Sequence, residues 1–276
     1  MIVKFEPTQF ESDEKMIYSS AQIVHFFYFM IKYFLCRTIL HLEKDLTMTN
    51  RLLTFKFTLW ILLLSTIAGF MNASSALLFA FKTSHYTGNL TQTGLSLAEG
   101  DYSVVLSYLT IIIAFFSGAV VSGALFPFQM FKPRRRYGWI PLLASGGLAL
   151  LAIVKVPDNW MLTYIAFILG VQNGMFVYFK GIVVRTTHMS GNLTDAGLAV
   201  GRFLVGQHKE LWKARFQIVN MLSFVTGVFL GGWFKLYTDF NLLYIGSFLY
   251  LGLAVYYFLL SDDLRQDMLG KLHLRK

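Results

Sequence analysis

Polar and apolar positions do not alternate along this chain. The charges are gathered into short clusters that separate long uncharged runs. Six such runs stand out, over residues 57–81, 102–131, 137–154, 159–179, 216–234 and 240–261. An α-helix rises about 1.5 Å per residue, so about 20 apolar residues cross the hydrocarbon of a bilayer. The third and fifth runs sit near the lower limit. The second is long enough to tilt or to extend beyond the membrane, with Pro127 near its end. A surface helix of a soluble domain would show a polar face every few positions. The pattern therefore predicts an all-α, polytopic transmembrane helical bundle of about six spans.

Composition and charge sharpen that picture. Of 276 residues, 55% are hydrophobic and 14% charged, against about 25% charged in an average soluble domain. Disorder, which needs low hydrophobicity and high charge, is excluded. The formal net charge of +9 sits between the runs. The link after the second run holds Lys132, Arg134, Arg135 and Arg136, and that after the fourth holds Lys180, Arg185, Arg202, Lys209, Lys213 and Arg215. The C-terminal tail, 262–276, holds Arg265, Lys271, Arg275 and Lys276, whereas the other links hold one basic residue each, Lys82, Lys155 and Lys235. The positive-inside rule then places both termini in the cytoplasm, in a cell (inner) membrane. The basic charge thus reads as membrane topology, with the lipid bilayer as partner and no nucleic acid. The segment 207–215, basic with Leu211 and Trp212, is expected to anchor the cytoplasmic surface. A single cysteine, Cys36, leaves no internal disulfide and no cysteine-based metal cluster.

Residues 1–47 fit this scheme poorly. The apolar stretch 21–42 is interrupted by His25, Lys32, Arg37 and His41. It reads either as an interfacial amphipathic helix or as the upstream part of a frame whose start is Met48. A secretory signal is disfavoured by the charges and by the lack of a small-residue cleavage site.

An internal repeat carries the most information. Thr83-Ser-His-Tyr-Thr-Gly-Asn-Leu-Thr-Gln-Thr-Gly-Leu95 reads against Thr186-Thr-His-Met-Ser-Gly-Asn-Leu-Thr-Asp-Ala-Gly-Leu198. Upstream, Gly69-Phe-Met-Asn72 matches Gly170-Val-Gln-Asn173. Downstream, Ser117-Gly118 and Ser122-Gly123 match Thr226-Gly227 and Gly231-Gly232. Each half, 48–155 and 156–261, then holds three spans. Three is odd, so the halves lie in the membrane with opposite orientation: a 3+3 inverted-topology repeat. Such repeats recur in transporters and place a binding site near the midplane.

On Gly69-Phe-Met-Asn72, His85-Tyr-Thr-Gly-Asn89, Gln172-Asn173 and Arg185-Thr-Thr-His-Met-Ser-Gly-Asn192, the chain resembles the YoaK-type family of mainly bacterial integral membrane proteins of unknown function. The resemblance runs from about Met48 to the sixth span. It implies Asp at the position of Asn72, so no titrating carboxylate stands there in this chain.

The repeated motif is rich in residues that favour caps and turns. Asn89 followed by Gln92, and Asn192 followed by Asp195, read as N-caps with a polar partner three residues on. Short re-entrant or interfacial helices are expected over 90–98 and 193–204. Their starts expose unpaired N–H groups and partial positive charge. His85 and His188 are candidates for substrate hydrogen bonding or proton transfer, with Thr87, Asn89, Ser190 and Asn192 as further polar contacts. Asn72, Gln172 and Asn173 fall inside spans, where an amide needs partners. Gly118 to Ser122 and Gly227 to Gly231 read as close helix packing. The expectation is a transporter or channel for an unknown small molecule or ion, without a cofactor and with self-association left open. The alternatives are a membrane enzyme using His85, His188 and Asp195, a metal held by those three side chains, and a lipid- or partner-binding scaffold in which the motifs only cap helices.

Overall fold

The computed structural model describes residues 48–127, 134–175 and 182–273. Expectations for residues 1–47 therefore lie outside the described residues, as do the ends of the second and fourth predicted runs. Eight α-helices are described: α1 (Met48–Phe79), α2 (Tyr86–Glu99), α3 (Tyr102–Leu125), α4 (Arg136–Val154), α5 (Asp158–Gly174), α6 (Met189–Leu204), α7 (Leu211–Tyr237) and α8 (Leu242–His273), with a 3₁₀ turn at His208–Glu210. No strand occurs among the described residues. In hydrocarbon every backbone polar group must be paired within the segment, which leaves helices as the solution for such runs.

Five helices are long and apolar enough to cross a membrane: Thr54–Phe79, Tyr102–Leu125, Arg136–Val154, His208–Tyr237 and Leu242–Ser261. The fourth predicted run gives α5, which has 17 residues as described. Helix ends have local causes. Gly100 closes α2 in the left-handed region at φ 77°, where a side chain would be strained. Asp101 then caps α3 by accepting from the Val104 N–H at 3.2 Å. At its other end α3 stops at Leu125, because Phe126 precedes Pro127 and a residue before proline disfavours the helical region. The basic segment at 207–215 spans the 3₁₀ turn and leads into α7. From Leu211 onward it is the first turn of α7, and Glu210 accepts from Lys213 at 2.8 Å and Arg202 at 3.3 Å.

Packing pairs each half with the other. Helices α1 and α7 run parallel: Ser65 donates to Asn220, Gly69 faces Phe224, and Ala73 faces Gly231. Helices α3 and α5 also run parallel, with Phe115 against Gly170 and Ser122 against Gly174. The contacts are backbone to backbone. A Cβ on Gly69 would lie 2.0 Å from the Phe224 carbonyl oxygen, and one on Gly170 would lie 2.2 Å from that of Phe115. Likewise a Cβ on Gly227 would meet the Thr66 oxygen at 1.8 Å, and one on Gly118 the Phe167 oxygen at 2.1 Å. The same four-residue arrangement thus occurs twice. Helices α4 and α8 cross antiparallel, Gly138 facing Phe258 and Ser145 hydrogen-bonding Ser247 at 3.1 Å.

Two buried assemblies tie these pairs together. Trp60 of α1 lies against Tyr257 of α8 and Tyr137 of α4, with ring centroids 4.6 and 5.9 Å apart. Gln172 of α5 is almost fully buried. Its amide donates to the Leu64 carbonyl and to Thr186 Oγ1, each at 3.0 Å, and accepts from the Tyr250 hydroxyl at 2.8 Å. One side chain therefore joins α5, α1, α8 and the segment that leads into α6.

Candidate functional site: a cavity where the two motifs meet

After α1 the chain turns back alongside the helix it has just left. Ser75 and Thr83 hydroxyls meet at 2.9 Å. The Asn72 side-chain oxygen Oδ1 accepts from the Ser84 N–H at 3.2 Å and from its hydroxyl at 2.8 Å. In the second half Asn173 accepts from the Thr187 N–H, also at 3.2 Å. Each span amide therefore holds the returning segment of its own half, and α2 starts well below the end of α1. Asn72 lies seven residues inside the end of α1, about 10 Å at 1.5 Å per residue.

The two short helices begin earlier than the cap pattern suggests. The N-caps are His85 and His188, not Asn89 and Asn192. Asn89 and Asn192 stand in the first turn, and their amides reach back to the Lys82 carbonyl at 2.9 Å and the Arg185 carbonyl at 3.4 Å. Neither histidine side chain caps its helix. Each ring instead folds over the first turn, where a glycine leaves room. A Cβ on Gly88 would lie 2.1 Å from the His85 ring, and one on Gly191 would lie 2.5 Å from the His188 ring. The glycine of the motif is thus a seat for the imidazole.

The two helix starts open on one cavity of about 690 Å³. Its lining falls into pairs, one residue from each half: Asn72 with Asn173, Lys82 with Arg185, Ser84 with Thr187, His85 with His188, Tyr86 with Met189, Thr87 with Ser190, and Phe115 with Phe224. Asn72, Phe115 and Phe224 come from the interior of α1, α3 and α7, and Asn173 from the last turn of α5. Six residues singled out in the sequence are brought together here: Asn72, His85, Thr87, Asn173, His188 and Ser190. Three are not. Asn89, Asn192 and Gln172 are buried and spend their amides on backbone and side-chain partners outside the lining.

Sequence reasoning passed over Lys82 and Arg185, which were assigned to the links. It also passed over the aromatic wall, although Phe115-Phe-Ser-Gly118 and Phe224-Val-Thr-Gly227 share a visible pattern. The Tyr86 ring packs on Phe115 at 4.0 Å between centroids. Asp195 is absent from the lining. Among the described residues no three His, Cys, Asp or Glu side chains gather as a metal site.

Several apolar helices of spanning length make this a multi-pass α-helical membrane protein, with an open cavity lined by polar and aromatic residues between the two motifs. The chain belongs to the family described as protein of unknown function, DUF1275, whose model matches residues 60–256. No curated protein and no solved structure matches it.

Proposed function

We propose that this protein is a small-molecule or ion transporter or channel, of the YoaK-type group, whose site is the cavity between the two His motifs. The observation that carries the reading is the lining itself: seven residues of one half face their seven counterparts from the other. A site shared by two repeats at mid-membrane depth is the arrangement that alternating access uses.

Helix directions support the inverted repeat. If only the five long helices crossed, α1 and α7 would point in opposite directions, with two crossings between them. They run parallel, which fits three crossings between them and makes α5 the fourth of six spans. The halves 48–155 and 156–261 are then inverted, with both termini in the cytoplasm under the positive-inside rule. The lipid bilayer is the partner of the apolar faces, such as that formed by Leu106, Ile113 and Phe116 on α3, all of them exposed.

The reading is tested by sidedness. In a Cys36→Ser background, a cysteine is placed at Thr91 or at Thr194, both exposed, and labelled with a membrane-impermeant maleimide. Labelling of T91C from outside and T194C from inside is expected. Labelling of both from one face would sink the inverted repeat. A second reading, a scaffold in which the motifs only brace the loops, draws support from the bracing amides of Asn89 and Asn192. Substituting His85 and His188 by Gln separates the two. Lost solute flux with an unchanged melting temperature favours a site, whereas lost folding favours the scaffold.

A further inference from the structure

We infer that the cavity binds a small organic anion, a carboxylate; this rests on the proposed reading of the cavity as the site of transport. Two cations line it, Lys82 and Arg185, at equivalent positions three residues before the two N-cap histidines. No Asp or Glu is among the lining residues. Among the described residues neither cationic side chain has an ion-pair partner.

The remaining polar groups point the same way. In the first turns of α2 and α6 the first i to i−4 bonds are Asn89 to His85 and Asn192 to His188, at 2.9 and 3.0 Å. The amides before them have no side-chain cap; apart from Met189, whose N–H meets the Thr187 carbonyl at 3.1 Å, they offer donors, and both helix starts offer partial positive charge, to one cavity. Asn72 and Asn173 spend their side-chain oxygens Oδ1 on Ser84 and Thr187. That leaves their NH₂ groups as the free donors. The cations and the amide NH₂ groups of the lining are all donors, and both formal charges are positive. A neutral or cationic solute would find few partners. An anion would find two cations, two amides and two helix starts, and charge-assisted hydrogen bonds are the strong ones.

Size and wall chemistry narrow the class. The cavity is of the order that holds organic ligands, about 300–1,000 Å³, and far exceeds the volume of about 30 Å³ taken by one water. Phe115, Phe224 and Tyr86 supply an apolar wall. A bare halide or oxyanion would leave that wall without a partner. An organic carboxylate uses both the donors and the rings.

The test uses the full chain in lipid nanodiscs. Thermal unfolding is followed at constant ionic strength against benzoate, succinate and sulfate, with benzamide and succinamide as neutral isosteres. Benzoate or succinate is expected to raise the melting temperature where the amides do not. The double variant Lys82→Gln/Arg185→Gln should bind at least about tenfold more weakly, the effect of losing charge-assisted hydrogen bonds. The charge-preserving exchange Lys82→Arg/Arg185→Lys should keep binding, and Lys235→Gln, remote from the lining, should match the native protein. The braces to positions 82 and 185 use backbone carbonyls, so these side chains can be replaced without cutting them. Equal response to acids and amides, or native binding by the neutral double variant, would overturn the anion. Response to sulfate alone would overturn the organic ligand. Flux of labelled succinate and benzoate into proteoliposomes is measured in parallel. Binding without flux would overturn the transport reading and keep the anion site. Flux of neutral solutes alone would do the reverse.

Discussion

At the scale of single residues, the most telling pair is Gly88 and Gly191. Both sit inside a helix, where glycine costs about 0.5–1 kcal/mol relative to alanine. Both are needed because an imidazole occupies the space a Cβ would take. Gly88→Ala is therefore expected to leave the melting temperature unchanged or raise it slightly, since a side-chain ring can rotate away. Ligand response should fall, because His85 leaves its seat. Gly94 is the control. It lies in the same helix with nothing within 4 Å of a Cβ, so Gly94→Ala should gain up to about 1 kcal/mol by propensity and keep the ligand response. Thermal unfolding with and without ligand reads both effects. The motif residues were legible in the sequence because the repeat prints them twice. The role of the glycine was not, since a cap pattern assigns the helix start to Asn89 and Asn192 and hides the histidines. Lys82 and Arg185 were also a matched pair in the text of the sequence. Their charge was read as topology, because one-dimensional counting cannot tell a cation at a membrane surface from one that lines a cavity.

At the scale of helices, each long uncharged run marks a helix and five of these are long and apolar enough to cross a membrane; the starts of α3, α4 and α5 fall within one residue of the runs, whereas α1 begins nine residues before its run and α8 ends twelve after its own. Which helices pair was not legible. Small residues announce a close approach but not its partner. The structure resolves this: Gly69 and Gly227 serve α1 against α7, and Gly118 and Gly170 serve α3 against α5. These contacts are with backbone oxygen, which cannot rotate aside. Gly69→Ala or Gly170→Ala should therefore cost about 1–3 kcal/mol by overpacking, seen as a lower melting temperature and a protein that elutes partly aggregated. The contrast with Gly88→Ala is the check. One kind of glycine admits a flexible ring, the other a rigid main chain, and only the second should govern stability.

At the scale of the whole molecule, the apolar content foretold an all-α bundle, but not that α1 packs on α7 and α3 on α5. Gln172 shows the coupling. Replacing it by Ala strands the buried Tyr250 hydroxyl and Thr186, and should cost about 1–3 kcal/mol. A calorimetric transition broadened or split by that change would mark the loss of concerted unfolding. A further test severs the link Lys155–Pro157, where α4 hands over to α5. The fragments 1–155 and 156–276 should each be unstable when expressed alone and should co-purify as a working pair when expressed together. The parallel pairing of α1 with α7 also bears on how the protein is made. A ribosome adds about 5–20 residues per second, so α1 enters the bilayer on the order of ten seconds before α7 exists. During that interval the Ser65, Thr66 and Gly69 face, which meets Asn220, Gly227 and Phe224 of α7, has no mate. The insertion machinery must shelter that helix until α7 arrives, which makes the nascent first half a client for membrane chaperones.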